Sequence, residues 1–273
     1  MGAFEPVSTL VRKMELPTVV AEEPFLAERA QRIAERFKLP YASDHDGQTR
    51  FLLVLTRRRL EIRDKRGAIG KGFAIDFAID NPRVLGLRGG RSREPLRRAV
   101  GVKTGTNASV LDATAGLGRD SLVLAALGYH VTMCERSPAI AALLQDGLYR
   151  AQRNSGFVEH IGNRLRLQAG DAMHVLSNLP ARLRPQVIYI DPMYPIRARS
   201  AFVKKEMQFL RALVGQDEDG PALLAVALES AARRVVVKRR KGDPDLSSGS
   251  PSHRIVSGQV RFDVYLRKPP RNA

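Results

Sequence analysis

The apolar positions along the chain follow two rhythms, and the change between them falls near residue 107. Upstream, Pro24 opens a helical stretch in which Phe25, Ala30, Ile33, Ala34 and Phe37 recur at helix spacing through Lys38. Short runs then follow, FLLVLT at 51–56, RLEIRD at 59–64 and GFAIDFAI at 72–79, separated by the turn-forming DHDG and KRGAIGKG, and these predict strands. The Gly/Arg stretch LGLRGGRSR leads into a short helix from Glu94. Residues 1–23 hold Pro6 and Pro17 and little periodicity, which predicts a loose tail or an edge strand.

Downstream the rhythm becomes strand, helix, strand. SVLDAT (109–114), HVTMCE (130–135), RLRLQAGD (164–171), PQVIYID (185–191) and RRVVVKR (233–239) are the strand runs. Between them lie GRDSLVLAALG, then SPAIAALLQDGLYRAQ with Ser137 as cap and Pro138 in its first turn, then DAMHVLSNL, then a helical stretch over 200–231. HRIVSGQVRFDVYLR closes the chain as an antiparallel hairpin. Strands alternating with helices predict an α/β fold with a doubly wound, Rossmann-like parallel sheet and right-handed crossovers. A small N-terminal α+β domain over 1–106 is expected to precede the main domain over 107–273. No internal repeat is present.

Composition narrows the class. A chain of 273 residues that is 44% hydrophobic can bury a sizeable core, which excludes disordered and fibrous classes. One cysteine excludes an internal disulfide framework and a multi-cysteine zinc site, and fits a reducing, cytoplasmic setting. Cys134 itself lies in an apolar strand and reads as a small buried side chain. The five histidines lack ligand spacing, so no metal is expected. No run of 18 apolar residues occurs, and the N-terminus lacks a signal-peptide core, so neither a membrane span nor secretion is expected.

Charge adds a partner. Lys and Arg number 45 against 28 Asp and Glu, for a net charge of +17, and 35 of the cations are Arg. Guanidinium forks suit bidentate phosphate contacts, so nucleic acid leads the list of partners. Four segments, 57–66, 81–103, 197–211 and 233–241, together hold +20, which leaves the rest of the chain close to neutral. They read as a phosphate-contacting face.

The chemistry starts at DATAGLGRD, 112–120, which follows an apolar strand and opens a helix. Gly116 and Gly118 let the backbone approach a ligand there, and the helix N-terminus offers unpaired N–H groups. Glu135 ends the second strand 23 residues beyond Asp112, where a carboxylate can accept from both ribose hydroxyls. A dinucleotide turn would carry glycine at Thr114, and Asp112 and Asp120 would oppose a pyrophosphate. The sulfonium and ammonium of S-adenosylmethionine suit those acids better, so this methyl donor is the expected cofactor. Asp171 ends the third strand where an adenine amino group could donate to it.

DPMYP, 191–195, follows VIYI at the carboxyl end of the fourth strand. The lone pair of an exocyclic base amine is delocalised into the ring. The Asp191 carboxylate and the Pro192 carbonyl can accept its two N–H bonds and favour a tetrahedral nitrogen. Tyr194 can stack on the base. Asp191 and Tyr194 are therefore the expected catalytic residues.

With these residues in view, the chain resembles the small-subunit ribosomal RNA methyltransferase J family of class I methyltransferases. The resemblance rests on LDATAGLGRD, CERSPAIAALLQDGL, IYIDPMYP, SAFVKKEM, RRVVVKR and RFDVYL, extends upstream through GGRSREPLRRAVGVK, and covers roughly residues 45–268. It implies methyl transfer from S-adenosylmethionine to N2 of one guanosine in 16S rRNA, with the small ribosomal subunit or its RNA as partner. Carried over by position, cofactor contacts fall on Arg119, Asp120, Glu135, Arg136, Gly170, Asp171 and Asp191. QAGD departs from a small, hydroxyl-rich version of that stretch. Met193 stands where many amino-methylating enzymes have a second proline, and the narrower family shares the methionine. Other readings of the same motifs are a methyltransferase acting on amino groups of DNA or protein, and a non-catalytic RNA-binding assembly factor. An NAD-dependent oxidoreductase is disfavoured by Asp120.

Overall fold

The computed structural model describes residues 16–43, 49–66, 72–77, 94–103, 108–192, 219–247 and 249–267. Its centre is a seven-stranded sheet with the order β6-β5-β4-β7-β8-β10-β9. The strands are β4 (Ser109–Asp112), β5 (His130–Glu135), β6 (Leu165–Ala169), β7 (Val187–Ile190), β8 (Arg234–Arg240), β9 (His253–Ser257) and β10 (Val260–Leu266). The first five run parallel, and β10 and β9 add an antiparallel hairpin against β8. This is the doubly wound, Rossmann-like α/β sheet that the strand and helix rhythm predicts. VIYI and VVV form its middle because a parallel strand covered on both faces must be apolar throughout.

Helices α3 (Arg119–Ala126), α4 (Pro138–Ala151), α5 (Ser155–His160), α6 (Ala172–Ser177) and α7 (Gly220–Ser230) connect the strands. The pleat divides the strand residues between two cores. Val110, Met133 and Tyr189 share one with α3, α4 and the N-terminal layer, whereas Leu111, Cys134 and Ile188 share the other with α6 and α7. Ser137 caps α4 through its side chain, and Pro138 occupies the first turn as expected.

The N-terminal layer is a three-stranded sheet, β1 (Thr18–Ala21), β2 (Phe51–Leu55) and β3 (Leu60–Asp64), with α1 (Ala27–Phe37). β1 is an edge strand and lies parallel to β2. A further helix, α2 (Glu94–Val100), packs near the β9–β10 hairpin. The layer shares a continuous core with the large sheet. The strand predicted over 72–79 is reduced, within its described residues, to a single bridge between Phe73 and Ile62. Ile75 and Phe77 instead pack, buried, against α4. A Cβ at Gly147 of α4 would lie 2.9 Å from the Ile75 carbonyl oxygen, so glycine permits the close approach. Arg150 donates to that carbonyl and pairs with Asp146 at 2.8 Å, and Asp146 accepts the Leu60 N–H at 3.1 Å. The layer is thereby bonded directly to a helix of the main sheet.

Candidate active site

The carboxyl ends of β4, β5, β6 and β7 meet at one cleft, where open parallel sheets hold their ligands. Gly116, with φ of 53°, bends the β4–α3 turn into its wall. The Gly116 N–H donates to Glu135 Oε2 at 2.9 Å, and Glu135 Oε1 accepts the Ser137 N–H at 2.7 Å. Glu135 therefore ties the glycine turn to the end of β5 while lining the cleft. Asp171 lines it from the end of β6 and caps α6, with its Oδ1 accepting from Met173 and His174. Arg136 and Asp219 form a 2.7 Å ion pair across the cleft wall.

Asp191 and Pro192 follow β7 into the same cleft. The Asp191 N–H donates to Thr114 Oγ1 at 2.7 Å, which fixes the backbone entering the DPMYP motif. Lys238 on β8 donates to Asp191 Oδ2 at 2.8 Å and to Asp120 Oδ2 at 2.7 Å. Tyr189 completes the group by donating to Asp120 Oδ2 at 2.6 Å. Burial opposes the Lys238 ammonium, but Asp191 and Asp120 outweigh it and raise its pKa above the usual lysine value. Burial and the neighbouring carboxylates push the Tyr189 phenol well up, so it stays a neutral donor.

Asp112 lies beneath this group at 2% exposure. Burial raises its pKa to about 7, helped by the charges of Asp120 and Asp191, while a hydrogen bond from Ser121 works in the opposite direction. Cys134 is buried with its thiol pushed up to about 12 by burial and the acids around it, as suits an inert side chain.

Of the residues expected to hold a cofactor, Gly116, Glu135, Arg136, Asp171 and Asp191 line the cleft. Gly118 instead begins α3, with φ of 73°, and a Cβ there would lie 2.9 Å from the Phe77 ring. Arg119 is exposed at the start of α3. Asp120 reaches the cleft through Lys238, and Gly170 bonds the Glu135 carbonyl through its N–H at 2.8 Å. The two acids that spoke against a pyrophosphate are thus not the ones in the wall. Asp112 is buried and Asp120 is paired, while Glu135, Asp171, Asp191 and Asp219 supply the acidic lining. Tyr194, Met193 and the SAFVKKEM stretch lie outside the described residues.

Lys238 was hidden in the sequence inside RRVVVKRRK, which reads as a phosphate-contacting run. Its strand position was the available signal, since β8 pairs with β7 in a register that aligns Val237 with Ile190, one residue before Asp191. The same run loses further cations to the fold. Arg239 is buried, and Arg234 is half-buried with a bond to the Ala99 carbonyl. In the run at 57–66, Arg57 pairs with Glu23, Arg59 with Glu61, and Arg63 with Glu22 and Glu61. The runs at 197–211 and at 81–93 lie outside the described residues. Among the described residues there is no group of three or more potential metal ligands, and no helix is long and apolar enough to cross a membrane.

Comparison with known proteins bears on this cleft. The profile of a family of SAM-dependent methyltransferases matches residues 32–267. The chain is 46% identical over 244 residues to ribosomal RNA small subunit methyltransferase J of Thioalkalivibrio sulfidiphilus, which covers 88% of this chain and 94% of that protein. It is 43% identical over 243 residues to the protein of the same name from Pseudomonas aeruginosa, covering 89% and 91%. Among solved structures it is similar to a SAM-dependent methyltransferase of Neisseria gonorrhoeae, with a TM-score of 0.71, 30% identity, and coverage of 92% of this chain and 96% of that one.

Proposed function

The chain belongs to the ribosomal RNA small subunit methyltransferase J family of S-adenosylmethionine-dependent enzymes, and on that premise we propose that it methylates the exocyclic N2 of one guanosine in 16S rRNA. The observation that carries the reading is the convergence of Asp191 and Pro192 with Glu135 and Gly116 in one cleft. The lining fits the cofactor by its chemistry: four carboxylates against one arginine suit a cationic ligand, and Glu135 and Asp171 can accept from hydroxyl or amino groups. Glu135, Arg136, Asp171 and Gly116 would hold it. Bound S-adenosylmethionine supplies a methyl group activated by its sulfonium.

The chain's own residues act on the amine. Asp191 and the Pro192 carbonyl accept its N–H bonds and turn the nitrogen lone pair out of the ring plane. Lys238 holds the Asp191 carboxylate in place. Asp191 therefore orients the amine and steadies the positive charge that develops on it, and the displaced proton passes to water after transfer. Tyr194, two residues beyond Pro192, is the proposed stacking partner for the guanine. Arg119, Asp120, Gly118 and Gly170 support the cofactor-binding residues through the turn and strand ends.

Incubation with labelled S-adenosylmethionine and small-subunit RNA or particles, followed by digestion to nucleosides, tests this. Label in N2-methylguanosine is expected. Recovery in a different nucleoside overturns the guanine-N2 assignment, and no label in RNA overturns the substrate.

A further inference from the structure

The amino ends of the parallel strands form the edge of the large sheet opposite the cleft, and they are tied level with one another. Ser109 Oγ accepts the Gln186 N–H at 3.1 Å, the Gln186 carbonyl accepts the Arg233 N–H at 3.0 Å, and the Ala108 carbonyl accepts the His130 N–H at 2.9 Å. Arg164 and Arg166 stand at the start of β6 on this edge, Arg182 and Arg184 shortly before β7, and Arg233 immediately before β8. All five are exposed or partly exposed, and none pairs with a carboxylate among the described residues. Arg164 donates to the His160 carbonyl, and Arg166 donates to Thr132 Oγ1 at 2.7 Å. Four arginines of the N-terminal layer differ, since Arg50, Arg57, Arg59 and Arg63 each pair with an acid.

The spacing of the row fits a phosphate chain. From β6 to β8 there are four inter-strand steps, about 19 Å at ~4.8 Å each. A nucleic-acid backbone carries several phosphates over that length. Between the arginines, His130, Thr132 and Asn163 line a groove of about 310 Å³ with Arg164 and Arg166. Hydroxyl, amide and imidazole groups of this kind bond phosphates and ribose hydroxyls. The four residues of β7 alone separate this edge from Asp191 by about 13 Å.

We propose that this arginine edge grips the phosphate backbone of a second RNA segment, distinct from the segment whose nucleotide enters the cleft, so that the enzyme recognises a folded RNA. The inference rests on the reading of the cleft as an RNA-methylating site. Four of the five arginines, Arg164, Arg166, Arg182 and Arg184, lie outside every basic run visible in the sequence. The fold assembles them from separate loops.

The test combines Arg164→Gln, Arg166→Gln, Arg184→Gln and Arg233→Gln and measures methylation of full-length small-subunit RNA and of a short fragment around the methylated nucleotide. For full-length RNA, KM should rise about tenfold or more, and the salt slope should fall by roughly 0.7–0.9 for each phosphate no longer neutralised. For the fragment, KM should match the wild type, as should kcat and cofactor affinity. An Arg57→Gln, Arg59→Gln control should leave all of these unchanged. Equal KM increases on the two RNAs overturn the second segment, and unchanged KM on full-length RNA overturns the edge as an RNA contact. If the fourfold variant fails to fold, the pairs Arg164→Gln/Arg166→Gln and Arg184→Gln/Arg233→Gln replace it. If the wild type methylates no small-subunit RNA, the cleft reading fails, and direct binding of that RNA to wild type and variant still decides whether the edge holds phosphates.

Discussion

The two ends of the large sheet treat positive charge in opposite ways. At the carboxyl ends Lys238 is half-buried between Asp120 and Asp191, and every charge in that group has a partner. At the amino ends Arg164, Arg166, Arg184 and Arg233 face solvent or lie at its margin without an acid among the described residues. The contrast follows from solvation. An ion in a sheltered cleft must be compensated, because its lost hydration is costly, whereas an exposed guanidinium keeps its water and stays available to an incoming phosphate. The net charge of +17 therefore does not locate a binding face by itself. Pairing separates the cations that build the protein from those that can meet a partner.

That difference is most severely tested at Asp191. Replacement by alanine should lower turnover by about 10²–10³-fold, the usual loss when one pre-organised electrostatic contact to the reacting group is removed. Cofactor affinity, read by calorimetry, should change by no more than about 1–3 kcal/mol. Wild-type turnover in this variant would remove Asp191 from the chemistry. Lys238→Met leaves Asp120 and Asp191 facing each other without their cation, and turnover should fall by about 10²-fold as the Asp191 carboxylate shifts. A change in RNA affinity with turnover intact would instead class Lys238 with the amino-end arginines.

The smallest effect concerns Asp112. Its folded-state pKa of about 7 exceeds the unfolded value near 4, so the folded protein holds a proton that the unfolded chain releases. The resulting stabilisation is complete below the unfolded value and is lost as pH rises through about 7. Asp112→Asn lacks this dependence. Relative to the variant, the wild type should lose about 2 kcal/mol of unfolding free energy between pH 5 and pH 7, as read by denaturant titration, at ~1.4 kcal/mol per pH unit. Parallel curves over that range would show that Asp112 is already ionised in the folded state.

The parts of the molecule that local pattern determines were legible in the sequence. VIYI, HVTMCE and the capped helix from Pro138 appear where periodicity and capping put them. Glu135 and Asp191 could be found because a strand end fixes a side chain's location along the chain and across the sheet at once. What failed was anything decided by contacts between distant segments. GFAIDFAI has strand composition, yet Ile75 and Phe77 are drawn against α4 by Gly147 and Arg150, roughly seventy residues away. Helix α5 escaped notice because six residues carry too little periodicity, although Asn154 caps it and offered a clue. The basic runs were visible as composition, but ion pairing depends on Glu22 and Glu23 in one case and on strand register in the other.

Gly118, at the start of α3, packs against Phe77. Its positive φ and the 2.9 Å approach of Phe77 to the place where a Cβ would stand impose two separate restrictions on one position. Removal of the aromatic ring would leave the first untouched and the second only partly relieved, because Leu144 Cδ2 stands 3.1 Å from the same place. In the space of related sequences, a larger residue at 118 is thus accessible only after both the residue at 77 and the backbone of the turn have changed. No single substitution achieves that, so this corner of the protein is expected to drift more slowly than the solvent-facing positions of the N-terminal layer.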